Sequence, residues 1–165
     1  MAKGVLEKAM DFLALRPLST SELRSKLSSS DRYTQEEIEE ALETCSRRGY
    51  LNDALLASDA AQYLSSSGKG SRLIRQKLRA RGIPEEELTQ ALEEITPENE
   101  SEAARSAAEG KLRLLVREKD PGKKREKLFR FLISRGFTPE VTAKTVREMV
   151  DLSQTQEDFS EDFCT

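Results

Sequence analysis

The residues best placed to do chemistry are cations. Lys69, Arg72, Arg75, Lys77, Arg79 and Arg81 form a run without one acid among them. Glu85, Glu86, Glu87, Glu93 and Glu94 follow at once, without a base. A second basic group contains Lys111, Arg113, Arg117, Lys119, Lys123, Lys124, Arg125, Lys127 and Arg130. Lysine and arginine bring N–H donors and permanent charge, so their chemistry is the capture of phosphate or carboxylate. The net charge of -3 conceals this segregation, because local fields follow the distribution and not the sum. Candidate contacts to a partner or to DNA phosphates are therefore Lys69, Arg72, Arg75, Lys77, Arg79 and Arg81, with Lys123, Lys124, Arg125, Lys127 and Arg130.

Other chemistries lack their parts. The chain has no histidine, which rules out a Ser-His-Asp triad, a Cys-His dyad and any His-bearing zinc site. Of the two cysteines, Cys45 lies at helical spacing from Ile38, Ala41 and Leu42, the pattern of a buried apolar side chain. Cys164 stands in the polar tail, so a reducing, cytoplasmic setting is expected. Gly68-Lys69-Gly70-Ser71 lacks the upstream glycine and preceding strand of a phosphate-binding loop, and reads as a tight connection between helices. Carboxylates are plentiful but lie in runs on polar faces. No catalytic residue, metal site or cofactor is expected. The start of the chain has no signal-peptide pattern, and no apolar run approaches the ~20 residues of a membrane span.

The elements that carry these charges are helices. Hydrophobic residues make up 36% of the chain, charged residues 35% and aromatics only 5%, a composition for helices with one narrow apolar stripe. Strand-like alternation is almost absent. An internal repeat organises them. Leu23 and Leu27, Ile74 and Leu78, and Leu128 and Leu132 each pair at i and i+4 on one helical face. Each pair leads into a short connection and a second amphipathic helix: Ile38, Ala41, Leu42 and Cys45; Leu88, Ala91, Leu92 and Ile95; Val141, Val146 and Met149, with Thr142 and Thr145 in register. Arg81-Gly82-Ile83-Pro84 and Arg135-Gly136-Phe137-Thr138-Pro139 are nearly the same connection, a glycine C-cap followed by a proline helix start. The first trio replaces it with Ser28 to Tyr33, after which Thr34 and Glu37 fit a capping box.

A leading helix precedes each pair, over Val5 to Leu15, Asp53 to Leu64 and Glu102 to Lys119. The spacing thus predicts three tandem three-helix repeats, 1–50, 51–97 and 98–152, followed by an acidic tail, 153–165, without fixed structure. That tail carries Glu157, Asp158, Glu161 and Asp162. The junction Gly49-Tyr50-Leu51-Asn52-Asp53 has a local reading. Gly49 ends a helix, Tyr50 and Leu51 pack back on it, and Asn52 or Asp53 caps the next.

This junction, followed by Ala57, Gly68-Lys69-Gly70, Ile74, Leu78 and Arg81-Gly82-Ile83, resembles the RecX family of recombination regulators. The likeness runs from about Val5 to Asp151, with Gly49, Tyr50, Leu51, Asp53, Gly70 and Gly82 as motif positions. It implies an all-α, elongated and curved helical array that lodges along the filament of RecA on DNA. It also implies a regulator that modulates, chiefly inhibits, the recombinase and ATPase activities of RecA and has no catalytic site of its own; the chain is expected to be a monomer. Leu56 stands where the family commonly has Phe, and Tyr63 to Ser67 carries no arginine where the family often does. Two readings of other classes compete. A helix-turn-helix-like repressor would use Arg72 to Arg81 as its recognition helix, although the net charge of the chain is negative. A plain helical-repeat scaffold for another protein would leave the charge clusters incidental.

Overall fold

The computed structural model describes residues 4–161, with side chains as far as Val150. Among the described residues there are nine helices and no strand. They are α1 (Val5–Leu15), α2 (Thr20–Ser28), α3 (Gln35–Arg47), α4 (Asp53–Ser66), α5 (Ser71–Ala80), α6 (Glu85–Glu93), α7 (Pro97–Leu114), α8 (Pro121–Ser134) and α9 (Pro139–Glu161). The fold is all-α. No described helix is long and apolar enough to cross a membrane.

Side chains decide where the helices begin. Thr34 and Glu37 close the capping box at α3, each bonding the other's backbone N–H. An equivalent box at α2, Ser19 with Glu22, escaped the sequence reading. At α4 the cap is Asn52, whose Oδ1 accepts from the Leu55 N–H at 2.9 Å. The Asp53 carboxylate instead accepts from the Thr20 N–H at 2.9 Å, tying the start of α4 to that of α2. The seventh helix was expected over Glu102 to Lys119 and is shifted. Thr96 accepts from the Asn99 N–H and Pro97 occupies the first turn, so α7 starts earlier. It ends at Leu114, where Leu115 turns inward and is only 9% exposed.

Two other expectations change. Tyr50 does not pack back: it is 50% exposed, while its neighbour Leu51 is buried at 3%. The tail expected to lack structure is helical as far as Glu161, because extending a packed helix costs far less than nucleating one. The side chains of Glu157, Asp158 and Glu161, and all of Asp162 and Cys164, lie outside the described residues.

The chain divides into two compact units. One contains Met1–Ala61 and Arg75–Glu94; the other contains Gln62–Ile74 and Ile95–Thr165. The first unit is built on α1, α2 and α3 packed against one another, with Ala9, Leu23, Leu27, Ile38, Leu42 and Cys45 at its centre. Cys45 is fully buried, and burial pushes its thiol up into the unreactive form. In the second unit α7, α8 and α9 pack mutually around Ala104, Ala108, Leu128, Leu132, Phe137 and Val150. Thr142 and Thr145 are buried there too, and the Thr142 hydroxyl makes no hydrogen bond.

Each unit contains the same close joint. In the first, Gly82 (φ +68°) ends the turn after α5 and lies so near Ser21 that a Cβ would overlap its side chain. The Ser19 hydroxyl donates to the Arg81 carbonyl there. In the second, Gly136 (φ +86°) ends the turn after α8 and lies against Leu73 in the same way. There the Gly70 N–H donates to the Arg135 carbonyl at 2.9 Å, and the Arg72 N–H to the Gly136 carbonyl at 3.0 Å. Gly70 itself meets the Gly136–Phe137 backbone with no room for a side chain. In both cases a left-handed glycine turn seats on the first turn of another helix.

Candidate partner-binding surface

The stripe that buries α5 is Ile74 and Leu78, both 0% exposed, which turns its basic residues outward or sideways. Three of them are already engaged within the first unit. Arg79 makes a forked contact to Glu85 at 2.9 and 3.0 Å, and Arg75 pairs with the same carboxylate. Hydrogen bonding from Arg79 is the main reason the Glu85 carboxyl lies below the usual carboxylate range and the Arg79 guanidinium above its own. Arg81 bonds Glu22 at 2.9 Å and the Pro17 carbonyl at 3.1 Å. Burial alone would raise the Glu22 carboxyl. Hydrogen bonds from Arg81, Arg16 and the Ser19 N–H outweigh it and bring the carboxyl down to about 2. Arg72 and Lys77 are exposed and have no ion-pair partner among the described residues. Lys69 is half-buried in the connection before Gly70.

In the second unit two of the expected cations, Lys127 and Arg130, pair with glutamates. Lys127 holds Glu118 at 2.5 Å, and Arg130 holds Glu126 at 3.3 Å one helical turn away. Lys127 is the first cause of the lowered Glu118 carboxyl. Lys123, Lys124 and Arg125 fall in the first turns of α8, just after the Asp120 cap. Positive side chains at a helix N-terminus oppose the helix dipole by about 0.3–1 kcal/mol each. Their placement does not serve the helix.

Most of the motif positions have a structural role. Gly49 closes α3 with φ +77°, Leu51 enters the core, Asp53 ties α4 to α2, and Gly70 and Gly82 form the close joints. Only Tyr50 presents a large exposed surface.

Sequence reasoning missed a further feature of the second unit, a cavity of about 470 Å³. It lies between the end of α4 (Ser66 to Gly68), the outer face of α7 (Ser106 to Leu114) and α8 with its cap (Phe131 and Arg135). Lys111 Nζ sits 5.4 Å and the Arg135 guanidinium 4.9 Å from the centroid of the Phe131 ring. Cations over an aromatic face are attracted by its quadrupole, which positions them without neutralising them. The available signal was Gly110, a glycine inside a helix with no turn to make. No group of three or more His, Cys, Asp or Glu among the described residues is placed to hold a metal ion.

Comparison with known proteins gives a consistent result. Residues 52–92 match the family description "RecX, second three-helix domain", and residues 98–146 match "RecX, third three-helix domain". The chain is similar to the Regulatory protein RecX of Corynebacterium efficiens, 31% identical, over 89% of this chain and 72% of that protein. It is similar to the Regulatory protein RecX of Chlorobaculum tepidum, 32% identical, over 87% of each. Its fold matches the crystal structure of RecX from Lactobacillus salivarius with a TM-score of 0.80 and 23% identity, over 90% of this chain and 95% of that one.

Proposed function

Because the chain belongs to the RecX family of regulatory proteins, we propose that it binds RecA, as a filament on DNA, and restrains its recombinase and ATPase activities. The observation that carries the reading is family likeness along most of the chain, including two successive three-helix domains. The cations without an ion-pair partner among the described residues support it: Arg72 and Lys77 on α5. Such groups suit DNA phosphates or an acidic protein face. Binding more than one filament subunit from one chain would gain from multivalency. The working form is a cytoplasmic monomer without a cofactor, and the regulator acts by occupancy and not by catalysis.

The test is DNA-dependent ATP hydrolysis and strand exchange by RecA with the protein added at and below stoichiometry. Both rates are expected to fall. No change at a stoichiometric amount would defeat the reading. Reversing the charge of Arg72 and of Lys77 should weaken inhibition roughly tenfold while leaving the far-ultraviolet circular dichroism unchanged. These residues are better choices than Arg75, Arg79 and Arg81, whose reversal would place new acids against Glu85 and Glu22.

A further inference from the structure

We propose that the cavity bounded by Lys111, Arg135 and Gly110 is a seat for a backbone phosphate of single-stranded nucleic acid. This deepens the reading in which basic residues of the third repeat meet DNA, and its test needs no RecA.

The first support is the lining, which contains two cations and no carboxylate. Neither cation is paired with an acid among the described residues, and both are held at the Phe131 ring. This differs from Arg75, Arg79, Arg81, Lys127 and Arg130, which all meet glutamates. Ser106, also in the lining, carries a hydroxyl that can donate. An anion is the complement such a site lacks.

The second support is Gly110. It lies inside α7, where glycine costs about 1 kcal/mol relative to alanine. No positive φ and no crowding explain it: a Cβ there would meet nothing within 4 Å. It lines the cavity beside Lys111. A bare backbone at that point leaves room for a ligand to approach closely, the use glycine has wherever backbone and ligand meet.

The third is the setting. From Gly110 to Arg135 the sequence holds ten lysines and arginines against three acids. A single small anion would not need so many cations, whereas a strand with one charge per nucleotide would. The cavity also has the volume of a nucleotide-sized ligand, and the exposed Leu114 at its rim offers an apolar contact for a sugar or base. Nothing in it resembles a base-reading edge, so binding should be indifferent to sequence.

The experiment is fluorescence anisotropy of a labelled fifteen-nucleotide oligothymidylate with the full chain, over a series of NaCl concentrations and without RecA. The wild type should bind, with affinity falling as salt rises. Gly110→Leu fills the cavity without touching the core and should weaken binding about tenfold while melting no lower than wild type. Lys111→Gln and Arg135→Gln should each weaken it about fivefold and reduce the salt slope by roughly 0.7. Arg105→Gln removes an equal charge from the same helix, but one paired with Glu148 and outside the cavity, so it should change affinity less than about twofold. Three results would overturn the proposal: no wild-type binding at the lowest salt, full binding by Gly110→Leu, or an Arg105→Gln loss as large as that of Lys111→Gln. Equal affinity for a fifteen-residue oligoglutamate would also overturn it, because the seat would then be for an acidic protein.

Discussion

Glu22 is where several local needs converge. It caps α2 through the Ser19 N–H and also accepts from Arg81 and Arg16. Its carboxyl is held down to about 2 from an ordinary 4.5, so the folded state favours the ionised form. For a depressed carboxyl the stabilisation is complete above the unfolded value and is lost as pH falls through the folded one. Urea unfolding should therefore show stability declining from about pH 4.5 towards pH 2. Glu22→Gln should be less stable at neutral pH and show a shallower decline in that window. A second residue-scale expectation concerns Thr142, buried with an unbonded hydroxyl. Thr142→Val keeps the shape and removes an unsatisfied polar group, and should stabilise the chain by about 1 kcal/mol in the same assay. Most residue-level facts of this kind were not legible beforehand. Arg81 read as a free cation because its partner, Glu22, is distant in sequence and only the fold brings them together.

Among elements, the helices were far easier to read than their ends or their neighbours. The i, i+4 pairs Leu23–Leu27, Ile74–Leu78 and Leu128–Leu132 are all buried at 1% exposure or less, because periodicity reports burial directly. Thr96 was missed as a cap, and α7 was misplaced in consequence. The reciprocal roles of Gly70 and Gly136 could not be seen either, since close approach of two backbones leaves no periodic trace. These glycines give a sharp contrast with Gly110. Gly70→Ala and Gly136→Ala should each cost more than about 2 kcal/mol, since the new methyl has no room and, at Gly136, a left-handed φ. Gly110→Ala, in open space within a helix, should gain about 0.5–1 kcal/mol. Urea midpoints of the three variants measured side by side would check both signs.

For the whole molecule, the repeat arithmetic gave the helix inventory, and the Gly49-to-Gly82 motif pointed to the family. Among the described residues at least five of the eleven candidate cations are paired with glutamates, which lowers the field those five offer a partner. Paired surface ions contribute little outside their own bond. Inhibition of RecA should accordingly track Arg72 and Lys77 more closely than Arg75, Arg79 or Lys127. A titration of single glutamine variants in the ATPase assay would rank them.

The two glycine turns, one in each unit, amount to a single fastener used twice. What each demands is small: a bare Cα on one side and a short polar start of a helix on the other. A chain assembled with such a part can change its length in whole modules without redesigning its core, provided that each newcomer brings the matching halves. The opening trio lacks the glycine half: the connection after α2, through Ser29 to Tyr33, contains no glycine.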